Sequence, residues 1–129
     1  MLASILIADD DPSILRALSF VMRGQGYEVR TATDGSEALA AMEEAVPDLL
    51  LLDVMMPRSN GYDVCRTLRA TPRYNDVRIV MLSARGQDSD RRQGQMLGAD
   101  AYITKPFGVA EVIACVSDML ARPAPGTAG

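Results

Sequence analysis

The sequence contains no histidine and no tryptophan, and only two of its 129 residues are cysteines. Without an imidazole side chain, these residues cannot form a Ser-His-Asp triad or a histidine-ligated metal site. Cys65 and Cys115 are too few for a zinc cluster or for a disulfide-stapled secreted domain, and we expect both thiols to be buried. The catalytic groups that remain are mostly carboxylates, hydroxyls and amines.

Long hydrophobic runs and an excess of basic charge are also lacking. The most apolar block, residues 49–52, is far shorter than the roughly 20 residues that a membrane-spanning helix needs. Residues 1–8 have no basic flank and run into three consecutive aspartates, which argues against a signal peptide. Thirteen Lys and Arg against seventeen Asp and Glu give a net charge of −4, which disfavours direct binding to nucleic acid. We therefore expect a cytoplasmic protein that binds neither a membrane nor nucleic acid directly.

Apolar residues make up 48 % of the chain, which is enough to build the core of one globular domain of this length. Short apolar blocks alternate with segments in which apolar residues recur at helical spacing. The blocks lie at residues 5–8, 27–32, 49–52, 77–82 and 101–103. This alternation predicts an α/β domain with a doubly wound sheet of five parallel strands joined by five helices. We expect the domain to span residues 1–122, and residues 123–129, which include two prolines and two glycines, to be a linker or a disordered tail.

Capping residues indicate where the helices begin. Asp11 followed by Pro12 is typical of a helix start, because the aspartate caps a backbone N–H and proline has none to satisfy. The second helix is expected to begin near residues 33–34. The fourth helix, residues 88–97, is the weakest, since Gly94 within it costs about 1 kcal/mol relative to alanine.

Polar side chains lie at the ends of four of the predicted strands. Asp9 and Asp10 follow the first strand, and Asp53 follows the third. Ser83 follows the fourth strand and Lys105 the fifth. In an open parallel sheet, ligands bind beyond the carboxyl ends of the strands, at the point where the strand order reverses. We therefore expect the three aspartates to meet in a crevice between the first and third strands.

Three clustered carboxylates repel one another, so a site of this kind needs a cation or raised pKa values. Mg²⁺ prefers oxygen ligands and is typically held by one or two carboxylates together with phosphate oxygens. The charges of Mg²⁺ and of Lys105 would balance those of the three aspartates. We infer that Asp53 can attack a phosphoryl donor and form an acyl phosphate in such a site.

The sequence resembles the receiver domains of two-component response regulators over residues 4–122. The resemblance lies in ILIADDDP at the first strand, LLLLDVMMP and NGYDVCR around the third, MLSA at the fourth and GADAYITKPF at the fifth. The separations between Asp53, Ser83 and Lys105 also follow the family pattern. The resemblance implies a flavodoxin-like (βα)5 fold with the strand order 2-1-3-4-5.

The resemblance also implies a phosphorylation-dependent signalling switch. Asp53 would accept a phosphoryl group from a sensor histidine kinase or a phosphotransfer protein. Asp10, Asp53 and the backbone carbonyl of Met55 would bind Mg²⁺, and Asp9 would contribute through water. Gly61, in the loop that follows, is expected to serve backbone geometry.

Residues at the fourth and fifth strands complete the implied switch. Ser83 and Lys105 would hold phosphoryl oxygens, and the peptide bond between Lys105 and Pro106 would be cis. Ser83 would move towards the phosphate while the ring of Tyr102 turns inward. These movements would alter the surface of the fourth helix, fifth strand and fifth helix, which would act on a downstream effector domain or protein. A homodimer formed through the same surface is left open.

Two other functions are weighed against the switch. A phosphatase with a carboxylate nucleophile would be expected to carry a general acid two residues after Asp53, where this sequence has Met55. An interaction module that works without phosphate would gain nothing from keeping a costly acidic pocket with Asp10, Ser83 and Lys105. We therefore favour the switch, a domain that assists its own phosphoryl transfer and dephosphorylation and is not otherwise an enzyme.

Overall fold

A computed structural model describes residues 2–57, 59–84 and 98–122 of the chain. A parallel sheet forms its centre, and its strands are β1 (Ser4–Ala8), β2 (Glu28–Ala32), β3 (Leu49–Asp53), β4 (Arg78–Ala84) and β5 (Ala101–Lys105). The order across the sheet is β2-β1-β3-β4-β5, which confirms the predicted order. The order reverses between β1 and β3, so the predicted crevice lies at the carboxyl ends of these two strands.

Helices cover both faces of the sheet. They are α1 (Pro12–Gly24), α2 (Gly35–Glu44), α3 (Gly61–Arg69) and a C-terminal helix (Val109–Ala121). The side chain of Asp11 accepts a hydrogen bond from the Ser13 N–H at 2.9 Å, which confirms the predicted cap of α1. The predicted fourth helix, residues 88–97, and the predicted tail, residues 123–129, lie outside the described residues. Among the helices that are described, none has the length and apolar character that a bilayer crossing demands.

The sheet is buried on both faces, which explains why its strands read as continuous apolar runs. Alternate side chains of β1 and β3 point to opposite faces. Leu6 and Leu50 pack with α2 and α3, whereas Ile5 and Leu51 pack with α1 and the C-terminal helix. All four are at most 1 % exposed, and the burial of each stabilises the fold by about 1.5–3 kcal/mol.

The structure differs from the predictions in several local features. The segment after Asp53 was expected to be a loop, but Met55–Met56 pairs with Ser59–Asn60 in a short antiparallel hairpin. A 3₁₀ turn at Pro72–Tyr74 was not predicted. Strands β4 and β5 run further than expected and take in Ser83 and Lys105.

The two cysteines do not share one environment. Cys65 is buried against the sheet, as expected, and burial raises the pKa of its thiol to about 11. Cys115 is only partly buried, so the expectation of two buried thiols is wrong for this residue. Its position on the C-terminal helix leaves one side of the residue open to solvent.

Candidate functional site

The register of the sheet brings the predicted polar residues to one edge. Ala8 pairs with Leu52, so Asp9 and Asp53 follow these two residues at neighbouring positions. Asp53 in turn pairs with Leu82, which directly precedes Ser83 in β4. At the same edge, Lys105 ends β5. The carboxyl ends of four strands, β1, β3, β4 and β5, therefore converge.

The ammonium group of Lys105 lies between two carboxylates. Its Nζ atom is 3.0 Å from Oδ2 of Asp9 and 3.3 Å from Oδ1 of Asp53. The Asp9 side chain is fully buried and that of Lys105 is three-quarters buried, so solvent screens these contacts less than at the surface. Burial by itself lowers the pKa of Lys105, but the hydrogen bond to Asp9 and the charge of Asp53 outweigh it, so the pKa is raised. Lys105 therefore stays positively charged.

The pKa of the Asp53 carboxyl group is higher than that of an exposed aspartate. Burial and the nearby charge of Asp9 raise its pKa to about 7. The charge and hydrogen bond of Lys105 and the N–H of Met55 limit this rise. The Met55 N–H lies 3.3 Å from Oδ1 of Asp53. Asp53 is therefore held near its ionisation point by opposing charges when no metal ion is bound.

Asp9, Asp10 and Asp53 form a set of oxygen donors that fits a divalent cation. One carboxylate oxygen from each lies within 4.8 Å of the others. Asp10 is exposed, which leaves this side of the cluster open, whereas Asp9 and Asp53 are buried. A donor set made only of oxygens suits Mg²⁺ better than a softer transition metal. With Lys105 counted, the four side chains have a formal charge of −2, which a divalent ion would balance.

Both oxygens of Asp9 already have partners within the protein. Oδ2 accepts a hydrogen bond from Lys105, and Oδ1 accepts one from the Asp11 N–H at 2.9 Å. Asp11 therefore has two roles, because its side chain caps α1 and its backbone N–H orients Asp9. This contact links the start of α1 directly to the acidic cluster, which the sequence pattern did not indicate.

Gly61 sets how closely the loop after β3 can fold back on that strand. Its N–H donates a hydrogen bond to the Val54 carbonyl at 2.8 Å. A Cβ atom at this position would lie 2.9 Å from the Val54 Cα atom, closer than real Cβ atoms approach. The expected backbone role of Gly61 thus has a specific cause, because its backbone packs closely against the backbone of Asp53 and Val54.

The remaining predicted residues lie on β4 and β5. Ser83 is 2 % exposed and pairs with Thr104 in the sheet. Tyr102 is partly buried and packs against the apolar cluster under α2 and α3. The bond between Lys105 and Pro106 is cis, as expected. Pro106, Phe107 and Ile14 border a cleft of about 420 Å³ beside Lys105, so the site opens onto an apolar surface.

Comparison with known proteins identifies the family. A family model described as "Response regulator receiver domain" matches residues 5–117, which is most of the chain. The chain belongs to the response regulator receiver domain family. Receiver domains act as phosphorylation-dependent signalling switches and are not classical enzymes, which confirms the switch predicted from the sequence and gives no support to the two alternatives.

Curated relatives of this receiver domain are longer proteins. It is 48 % identical over 118 residues to the DNA-binding response regulator MtrA of Mycolicibacterium smegmatis. It is 40 % identical over 125 residues to the phosphate regulon transcriptional regulatory protein PhoB of Rhizobium meliloti. These matches cover 92 % and 97 % of this chain but 50 % and 55 % of the relatives. The chain therefore spans about half the length of the curated relatives it matches.

Solved structures of similar length agree with the fold. A putative response regulator from Chloroflexus aurantiacus has a TM-score of 0.90 and 39 % identity, and the match covers 95 % of this chain and all of that one. The chemotaxis response regulator CheY4 of Vibrio cholerae has a TM-score of 0.88 and 31 % identity, with 92 % and 99 % covered.

Substitution of Gly61 by alanine tests the close approach beneath Asp53. The added methyl group should displace the loop after β3 and lower the free energy of unfolding by about 1–3 kcal/mol, measured by urea denaturation. Gly24→Ala is the control, because a Cβ there would meet nothing within 4 Å. Equal stabilities of the two variants would show that the loop yields without strain.

Substitution of Asp53 by asparagine tests the raised pKa of this carboxyl group. Since its pKa is about 7 in the folded protein and about 3.8 when unperturbed, Asp53 stabilises the fold below pH 3.8 and loses this contribution as the pH rises to 7. Asparagine does not ionise, so without divalent ions the variant should gain stability over the parent between pH 5 and pH 7.5. Urea denaturation in EDTA measures the difference.

The exposed acid Asp63 on α3 supplies the control for this comparison, since its side chain is 65 % exposed. Asp63→Asn removes one exposed carboxyl group and gives the reference curve of stability against pH. If Asp53→Asn also follows it, the carboxyl group of Asp53 does not titrate in the range that its surroundings indicate.

Proposed function

We propose that this receiver domain accepts a phosphoryl group on Asp53 from the phosphohistidine of a sensor histidine kinase or a phosphotransfer protein. One observation carries the proposal: the Lys105 ammonium lies within 3.3 Å of both Asp9 and Asp53. A carboxylate nucleophile, a fixed positive charge and metal-binding oxygens are thus within one cluster. The 129 residues contain no histidine, so the donor imidazole belongs to another domain or protein.

Asp10 and Asp53 are the side chains that would bind Mg²⁺ directly, together with the backbone carbonyl of Met55, and Asp9 would contribute through water. When bound, the ion would neutralise the negative charge of the phosphoryl group. The proximity of the three carboxylates supports this assignment, because oxygens within 4.8 Å of one another repel without a cation.

In the proposed reaction, an oxygen of Asp53 attacks the phosphorus atom of the phosphohistidine. An O–P bond forms to Asp53 as the N–P bond of the donor breaks, and the released imidazole takes up a proton from solvent. Lys105 remains charged throughout and donates a hydrogen bond to a phosphoryl oxygen. The Ser83 hydroxyl donates to another. Dephosphorylation follows when water attacks the phosphorus atom, which returns the Asp53 carboxylate and releases inorganic phosphate.

The phosphoryl group would then change the surface of the domain through β4 and β5. Ser83 lies in β4, and β5 carries both Tyr102 and Lys105. A movement of Ser83 towards the phosphate would open space into which the partly buried ring of Tyr102 can turn. We propose that β5, the C-terminal helix and residues 88–97, the segment predicted from the sequence as the fourth helix, present this change to a partner, and that a homodimer can form through the same surface.

The output would be delivered by a downstream effector domain or protein. The names of the curated relatives describe DNA-binding regulators, and those relatives are about twice as long as this chain. We propose that residues 1–122 form the receiver unit and that residues 123–129 are a linker or a disordered tail. The phosphate backbone of DNA attracts basic surfaces, so the net charge of −4 argues against direct contact between this domain and DNA. Any effect of the domain on DNA binding would therefore be indirect.

Asp53→Asn tests the phosphorylation site. Incubation of the parent protein with acetyl phosphate and Mg²⁺ should raise its intact mass by one phosphoryl group, and beryllofluoride should shift its NMR signals. Both changes should be lost in the variant and in EDTA. A variant that is still modified would exclude Asp53 as the acceptor. Turnover of many unrelated phosphate esters would favour a phosphatase instead.

Lys105→Ala tests the role of the ammonium group. The variant should fold, but its rate of phosphorylation by acetyl phosphate should fall by a factor of about 10²–10³, the usual effect of removing one preorganised hydrogen-bond donor from an active site. Intact-mass kinetics give the rate, and urea denaturation confirms the fold. Arg66→Ala, which removes an exposed charge on α3, should leave the rate unchanged. A variant that fails to unfold cooperatively would make Lys105 structural.

A further inference from the structure

Arg69, the last residue of α3, reaches the segment that precedes β5. Its Nε–H donates a hydrogen bond to the Gly98 carbonyl at 2.9 Å, and its Nη1 donates to the Tyr74 carbonyl at 3.3 Å. Its Nη2 pairs with Oδ2 of Asp100 at 2.7 Å. We call this set of contacts the Arg69 clamp. The side chains of Arg69 and Asp100 are only 17 % and 24 % exposed, so water competes weakly for the contacts.

Asp100 connects the clamp to the neighbouring strand. Its Oδ2 also accepts a hydrogen bond from the Ile79 N–H at 2.7 Å, and its own N–H donates to the Ile79 carbonyl at 2.8 Å. The next residue along the chain, Ala101, makes the first pair between the two strands, with Val80 of β4. The clamp therefore holds β5 at the point where its pairing with β4 begins.

The register set at this end determines where Lys105 lies at the other end. Among the strands that the structure describes, β5 lies at the edge of the sheet and pairs with β4 alone. The ladder runs from Val80 and Ala101 to Ala84 and Lys105. Because side chains alternate along a strand, a shift of one residue would turn Lys105 to the other face, away from the aspartates. The clamp gives this edge strand of five residues an anchor outside its own ladder.

The backbone at Gly98 is shaped to receive the clamp. Gly98 has φ +101°, a conformation that favours glycine, and a Cβ there would lie 2.6 Å from Cγ of Arg69. The guanidinium can therefore lie across the backbone only because residue 98 has no side chain. This is a second observation, independent of the ion pair, that the two segments fit together.

We propose that Arg69 and Asp100 are positioning residues for Lys105: by fixing the register of β5, they hold the ammonium group against Asp53. The inference rests on the proposed function of Lys105 in phosphoryl transfer. The nearby pair of Arg66 and Asp63 differs in kind, because their side chains are 62 % and 65 % exposed and join residues of one helix. Such pairs contribute little to stability and fix nothing outside the helix.

A double-mutant cycle separates positioning through Lys105 from a general structural effect. Arg69→Gln should slow phosphorylation by acetyl phosphate and Mg²⁺ by about tenfold to a hundredfold in the parent protein. In the Lys105→Ala background it should slow the reaction by less than about twofold, because the group it positions is gone. Arg66→Gln is the matched control and should have no effect in either background. Equal effects of Arg69→Gln in both backgrounds would overturn the proposal.

A spectroscopic measurement tests the position of Lys105 without phosphorylation. Lys105 is the only lysine of the chain, so ¹⁵N-labelled lysine gives one side-chain ammonium signal. Arg69→Gln should shift this signal and Arg66→Gln should not. An unchanged signal in Arg69→Gln would overturn the proposal. A parent protein that acetyl phosphate does not modify would refute the proposed function, whereas the ammonium signal would still decide whether the clamp positions Lys105.

Loss of stability is controlled with two further variants. Asp100→Asn keeps an oxygen for the Ile79 N–H but removes the charge that pairs with Arg69, so it serves if Arg69→Gln does not fold. Met42→Ala opens a cavity under α2, a helix that packs mainly on β1 and β2, and should cost about 2–5 kcal/mol. It should leave the ammonium signal in place. A shift in Met42→Ala as large as that in the clamp variants would overturn the proposal.

Discussion

The contact of one ammonium group with two buried carboxylates is the interaction on which the site depends. Three carboxylate oxygens within 4.8 Å of one another are unfavourable, and burial adds to the cost, as the raised pKa of Asp53 shows. Lys105 offsets part of that cost because it contacts both Asp9 and Asp53. The cluster depends on the strand order. The three aspartates meet because β1 and β3 are neighbours, and Lys105 reaches them because the carboxyl end of β5 lies on the same side of the sheet.

Incomplete compensation makes such a cluster responsive. One ammonium charge does not balance three carboxylates, so the site gains free energy from a divalent ion and is sensitive to any group that changes the local charge. Asp53 has a pKa of about 7, which means that small changes around it alter its charge. The site is therefore suited to a switch by the same imbalance that makes it costly for the fold.

The elements that the sequence could predict are those with a local pattern. Buried parallel strands read as apolar runs, and the topology of such sheets brings the residues after them to one edge, which is why Asp9, Asp53 and Lys105 could be predicted together. The Arg69 clamp could not be predicted, because Arg69 and Asp100 are 31 residues apart and two of the clamp's acceptors are backbone carbonyls, which carry no residue-type pattern. The hairpin at Met55–Met56 and Ser59–Asn60 was missed for a related reason, since two-residue strands are too short to show periodicity.

The different chemistry of the lysine and arginine side chains explains where the chain uses each of them. Twelve of the 13 basic residues are arginines, and the one lysine is the residue at the acidic cluster. Lysine is a compact charge with rotatable donors, so it can exchange a carboxylate for a phosphoryl oxygen without losing its charge, whereas the planar guanidinium fixes several acceptors in one geometry. Arg69 holds three acceptors at once, and two of them, on Gly98 and Asp100, lie just before β5, where the register must not change. Lys105 stands at the far end of the same strand, where in the proposed function its partner would change from a carboxylate to a phosphoryl oxygen. In the proposed switch, an arginine anchor and a lysine charge on one edge strand would allow the site to rearrange while the sheet that positions it stays in register.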